Sequence, residues 1–172
     1  GNTHPFVSSD DPLHFDVGRL AQWNDVALHA QRKGLMLHFV VAEALDADAL
    51  DGGQLSIERL LFLREMTARF GHLPAIQWEV EVDGGLSAAV ALGAADWLGS
   101  LDPYTRPISV HTKELAANGD DAHLVSMLGD GRLSAAVLQT HPGDAGEHIE
   151  AWRTAAVSAG NPWVVELGDT TE

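Results

Sequence analysis

Polar and apolar residues alternate from Ile76 onward in the stretch Ala75 to Gly85, with Ile76, Trp78, Val80 and Val82 at one parity and Gln77, Glu79, Glu81 and Asp83 at the other. This is the period of a β-strand with one apolar face and one face carrying three carboxylates. Gly84 and Gly85 end the strand, and Leu86 to Leu98 has helical composition. Acidic side chains therefore gather at the C-terminal end of a strand that feeds a helix, where parallel α/β folds usually place their chemistry.

The remaining pattern repeats this unit. Residues 1–15, with Pro5, Ser8, Ser9, Asp10, Asp11 and Pro12, read as an entry loop. Asp16 is placed to cap a helix running to Lys33, with Val17, Leu20, Trp23 and Ala30 at helical spacing and Gly34 at its end. Leu35 to Val41 reads as a buried strand, Ala42 to Leu55 as a polar loop, and Ser56 as the cap of a helix reaching Phe70. Strands are expected at Ile108 to His111, Leu133 to Leu138 and Trp163 to Leu167. A weak helical stretch lies at Asp121 to Leu128, and Asp144 with Glu147 forms a capping-box variant opening a helix to Ala159. Alternating strands and helices predict a parallel sheet with right-handed crossovers in a single domain spanning residues 1–172.

Composition narrows the partners more than the fold. The 172 residues are 45% hydrophobic, enough for one sizeable core. Twenty-five Asp and Glu against ten Lys and Arg give a net charge of −15, which argues against nucleic acid and anionic membranes as partners. Cysteine is absent, so disulfides, thiolate metal sites and thiol nucleophiles are excluded. No apolar run reaches the roughly 20 residues of a membrane helix, and the first residues lack a signal-peptide core.

Five strands at this spacing fit a doubly wound sheet or part of a (β/α)8 barrel. No Gly-x-Gly-x-x-Gly and no P-loop accompanies them, so nucleotide binding has no motif behind it. A barrel explains the polar residues that close the strands: Glu43, Glu81 with Asp83, His111, Gln139 with His141, and Glu166. A whole barrel takes about 250 residues, so the expected architecture is a partial barrel lacking its first two strands and its last.

Several passages resemble a known family. They are His4-Pro5-Phe6-Val7-Ser8-Ser9-Asp10-Asp11-Pro12, Phe15-Asp16-Val17 with Trp23, and Lys33-Gly34-Leu35-Met36-Leu37-His38-Phe39. Leu50-Asp51-Gly52-Gly53, Arg64 to His72, Asp102-Pro103-Tyr104 with Pro107, Val110-His111-Thr112 and Pro162-Trp163-Val164-Val165 continue the match in order. Together they are similar to the third to seventh strands of cellulase-like (β/α)8 glycoside hydrolases of the retaining clan. Those barrels follow an immunoglobulin-like domain in secreted bacterial proteins. The resemblance implies a secreted or extracellular protein acting on a carbohydrate; separately, no cofactor and no metal site is expected. It also implies that the missing barrel strands come from the rest of a parent protein or from another chain.

In that clan the acid/base carboxylate ends the fourth strand and the nucleophile ends the seventh. The family's fourth-strand motif, approximately Trp-Asn-x-Gly-Glu-Glu-Asn, falls here on Trp78, with Glu79 in place of Asn, Glu81 in place of Gly, and Val82 and Asp83 at the acidic pair. The resemblance thus points to Asp83 and Glu81 on one side, and to Glu166 and Asp169 on the other, as catalytic candidates.

Retaining hydrolysis needs two carboxyl groups about 5 to 5.5 Å apart, one protonated and one ionised. Acids sharing one strand face repel one another, and at least one should hold its proton to higher pH. His38, Glu43, Glu79, His111 and Gln139, on or after the strands, are the substrate-binding candidates. Trp78 and Trp163 share parity with apolar residues and fit the core better than a sugar platform. Two alternatives remain: a carbohydrate-binding barrel that has lost catalysis, and a metal-dependent hydrolase, for which the chain offers histidines but neither His-x-His nor His-Glu-x-x-His.

Overall fold

A computed structural model describes residues 4–42, 48–80, 85–111 and 122–168. Its main body is a five-stranded parallel sheet of β3 (Leu37–Val40), β4 (Ile76–Glu79), β5 (Ile108–His111), β6 (Ala135–Leu138) and β7 (Val164–Leu167), in the spatial order β3-β4-β5-β6-β7. Helices α2 (Ile57–Phe70), α3 (Ala88–Leu101), α4 (Ala122–Val125) and α5 (Ala145–Ser158) alternate with the strands, and α1 (Val17–Arg32) precedes them. Each strand lies beside the one before it, so the order contains no reversal of the kind that marks a doubly wound sheet.

Residues 6–15, expected as loop, form an antiparallel hairpin of β1 (Phe6–Ser8) and β2 (Asp11–Phe15). Its aromatic ends supply the reason. Phe6 is buried and packs against Phe15 at 5.3 Å and against Phe62 of α2 at 6.1 Å between ring centroids. Pro12 is tolerated because a two-stranded ribbon leaves one side of each strand unpaired.

Helix starts follow the sequence signals with two exceptions. Asp16 caps α1 by accepting from the Arg19 N–H at 2.9 Å, and Ser87 caps α3 through the Val90 N–H. Ser56 precedes α2 without a side-chain cap bond; Asp51 Oδ2 accepts from the Ser56 and Arg59 N–H groups instead, at 3.1 and 2.9 Å. Asp144 likewise makes no cap bond, so the expected capping box at α5 does not form.

The two faces of the sheet differ. Ile76, Trp78, Val80, Ile108, Val110, Ala136 and Leu138 point toward the helices and join Leu63, Met66, Phe70, Leu98 and Trp152 in the core. Burying an apolar side chain of this size stabilises the fold by about 1.5–3 kcal/mol. The alanines of α3, Ala91, Ala94 and Ala95, are buried against that layer. Gln77, Glu79, Ser109, Ala135 and Val137 belong to the opposite parity, yet all are buried.

Curvature accounts for that burial. Strands lie about 4.8 Å apart, so four intervals of a flat sheet would separate β3 from β7 by about 19 Å. Yet His38 on β3 approaches Glu166 on β7 to 3.7 Å. Side chains cannot bridge the flat distance, so the sheet curls and its two edge strands face one another over a polar interior.

Candidate functional site

Five side chains meet inside the curl. Strand alternation delivers each of them: His38 from β3, Gln77 and Glu79 from β4, His111 from β5 and Glu166 from β7. Register supports the alignment, because His38 lies beside Gln77, Val40 beside Glu79, and Glu79 beside Ser109 in the parallel ladders. The strand carrying Glu79 is interior, with β3 and β5 on its flanks, so its acidic face is not a solvated sheet edge.

His38 is the junction. Its Nδ1 lies 3.3 Å from Glu79 Oε2 and its Nε2 lies 3.7 Å from Glu166 Oε2, so one imidazole addresses two carboxylates. Gln77 Nε2 also donates to Glu166 Oε2, at 3.1 Å. Exposure separates the acids: the Glu79 side chain is 5% exposed and that of Glu166 26%.

Burial pushes the Glu79 carboxyl above its ordinary range; His111 and His38 pull in the opposite direction, while Glu166 adds to the rise. The expected direction is therefore met, but by another route: desolvation dominates, and the contributing carboxylate stands three strands away. A carboxyl that keeps its proton toward neutral pH can act as a general acid. Beside it stands a second, more accessible carboxylate from the far edge of the sheet. That pairing can in principle donate a proton on one side of a bond and attack or stabilise charge on the other.

Gly168, one residue past β7, is part of the construction. A Cβ there would stand 2.8 Å from His111 Nε2 and 3.0 Å from Val137 Cγ1, so the absence of a side chain makes room for the histidine.

Of the residues singled out from the sequence, His38, Glu79, His111 and Glu166 converge. Gln139 follows β6 and is half-buried. Glu43, Glu81, Asp83 and Asp169 lie outside the described residues. Gln77 was missed as a site residue, though its parity with Glu79 was the available signal. Trp78 and Trp163 are buried, the first against Phe39 at 5.5 Å and the second stacked on Trp152 at 6.4 Å. Among the described residues no group of three or more His, Asp or Glu is arranged to hold a metal ion, and no helix is long and apolar enough to cross a membrane.

A separate hollow of about 280 Å³ lies among Arg64, Thr67, Gly71, His72, Leu101 and Tyr104, against the ends of α2 and α3. It contains none of the converging acids. Compared with family models, with curated proteins and with solved structures, the chain gives no match.

Proposed function

We propose that the chain is the central part of a (β/α)8 glycoside hydrolase-like barrel that cleaves O-glycosidic bonds with two carboxylates. Glu79 is the acid/base and Glu166 the nucleophile. The observation that carries this reading is the pairing of a buried Glu79, whose carboxyl burial pushes above its ordinary range, with a more exposed Glu166 across the interior of a curled parallel sheet. The unbroken strand order and the curl support the barrel geometry, and β3 and β7, each paired on one side within the sheet, are the edges that further strands would cover. Those strands come from the parent polypeptide or from another chain. The substrate is a poly- or oligosaccharide, in keeping with a strongly acidic chain that has no use for anionic ligands.

The test is turnover of aryl glycosides and a polysaccharide panel by the wild type, Glu79→Gln and Glu166→Ala. The expected outcome is a loss of about 10²–10⁴-fold in Glu79→Gln, the range for removing a general acid. Glu166→Ala should be inactive and regain turnover with azide, releasing a glycosyl azide. Full activity in either variant overturns the assignment.

One observation favours a second reading, a carbohydrate-binding barrel without turnover. His38 and Gln77 already hold one oxygen of the acids, so the cluster is partly satisfied from within. Glycan binding without hydrolysis, undisturbed in Glu79→Gln and Glu166→Gln, supports that reading over the enzyme.

A further inference from the structure

We propose that His38 is the positioning residue that divides the roles of Glu79 and Glu166, with Nδ1 in hydrogen-bond contact with Glu79 and Nε2 standing 3.7 Å from Glu166. This rests on the hydrolase reading above, and it concerns which carboxylate keeps the proton.

The argument is one of donors and acceptors. A neutral imidazole has one N–H and one lone pair, whereas an imidazolium has two N–H groups. Both nitrogens of His38 face carboxylate oxygens, at 3.3 Å toward Glu79 and 3.7 Å toward Glu166. A neutral ring between two ionised carboxylates would set a lone pair against a lone pair on one side. Two arrangements avoid this, and they hold the same number of protons. In one, the imidazolium donates to Glu79 and its charge stands beside Glu166. In the other, the proton has moved from Nδ1 to Glu79, whose O–H donates back to the ring, while Nε2–H still faces Glu166.

The second arrangement leaves a protonated Glu79 beside an ionised Glu166, which is the division of labour a two-carboxylate hydrolase requires. The proton passes between two atoms already in contact, so no co-reactant is needed. The surroundings favour that direction of sharing. Glu79 is enclosed on an interior strand, whereas Glu166 stands on an edge strand with Gln77 as an additional donor. Among the described residues, the groups facing the pair from the neighbouring strands are His111 on β5, which bears on Glu79, and the neutral Gln77 on β4. His38 itself is 36% exposed at its side chain and occupies an edge strand, so its replacement leaves the core intact.

The experiment uses protein labelled with ¹³C at glutamate Cδ and follows both carboxyl resonances through a pH titration in wild type, His38→Ala and His38→Gln. Turnover of the best substrate is measured across the same pH range. In His38→Ala the Glu79 resonance is expected to titrate at higher pH than in wild type, because a hydrogen bond and a positive charge that favour its ionised form are gone. The alkaline limb of kcat/KM, which reports the acid, should move the same way. The fall, on the order of 10²-fold as for a misplacement of about 1 Å, should lie in kcat rather than KM. His38→Gln, whose amide can both donate and accept, should restore part of both signals. Unchanged Glu79 and Glu166 titrations in His38→Ala overturn the proposal. Should the wild type hydrolyse nothing, the hydrolase reading fails, while the titration still decides whether His38 governs the two acids.

Discussion

Glu79 and Asp102 are both buried, each with a residue exposure of 4%, and they sit on opposite sides of the same strand. Asp102 follows α3 on the helix side. Its carboxylate accepts from Trp78 Nε1 at 3.1 Å, from Arg106 Nη1 at 2.9 Å and from the Tyr104 N–H at 3.0 Å. Arg106 in turn donates to the Leu73 carbonyl and lies 4.4 Å above the Tyr104 ring. Every strong demand of this carboxylate is met by a cation and fixed donors, so it ties a loop to a strand. Among the described residues, Glu79 has no guanidinium or ammonium beside it. Its neighbours are two histidines and a second carboxylate, all groups whose charge depends on protons. The difference teaches how to tell a carboxylate that holds structure from one that is poised to exchange a proton: burial is equal, and the partners decide.

The largest expected effect breaks the structural member of the pair. Asp102→Ala leaves the Arg106 guanidinium, 7% exposed at its side chain, without its anion and the Trp78 N–H without an acceptor. A buried pair broken on one side costs about 3–5 kcal/mol, visible as a lower denaturant midpoint. The Glu79 carboxyl should titrate as before in the fraction that remains folded. A cost below about 1 kcal/mol would erase the contrast between the two sites.

Gly168→Ala is next. The added methyl group meets His111 and Val137, and overpacking of this kind costs about 1–3 kcal/mol. Because His111 is the chief group drawing Glu79 toward ionisation, displacing it should also raise the pH at which Glu79 titrates. Carboxyl NMR together with thermal unfolding checks both effects.

The smallest effect carries the opposite sign from Asp102→Ala. A carboxyl whose value is raised in the fold makes its full contribution to stability below the unfolded value, and that contribution is lost as pH rises through the folded one. Glu79→Gln removes this loss. The variant should therefore be more stable relative to wild type near pH 8 than near pH 4, as unfolding midpoints across that range will show.

Much of this arrangement was legible in the chain. Period-two alternation put Gln77 and Glu79 on one face and Trp78 on the other, and short apolar runs located β3, β5, β6 and β7 to within two residues. Alternation says nothing about curvature, however. Nothing local marks His38 and Glu166 as neighbours, since they lie at opposite edges of the sheet and meet because it curls. Motif similarity points to Asp83 and Glu81, which lie outside the described residues, whereas desolvation, which raises Glu79, depends on surroundings that no local motif encodes. The hairpin of β1 and β2 was hidden for a related reason: turn-forming residues outnumber the two phenylalanines whose long-range contacts hold it.

Trp78 and Glu79 are consecutive, and this adjacency makes β4 a molecular index. Sliding the strand by one residue would send a carboxylate into the helix layer and an indole into the polar interior. The indole's single N–H, seated on Asp102, is the stop that forbids the slip. Lengthening or shortening the turn before Ile76 by one residue would thus transpose the two faces together, while even-numbered changes would preserve them. The tolerance of this protein to insertions at that point should depend on their parity more than on their size.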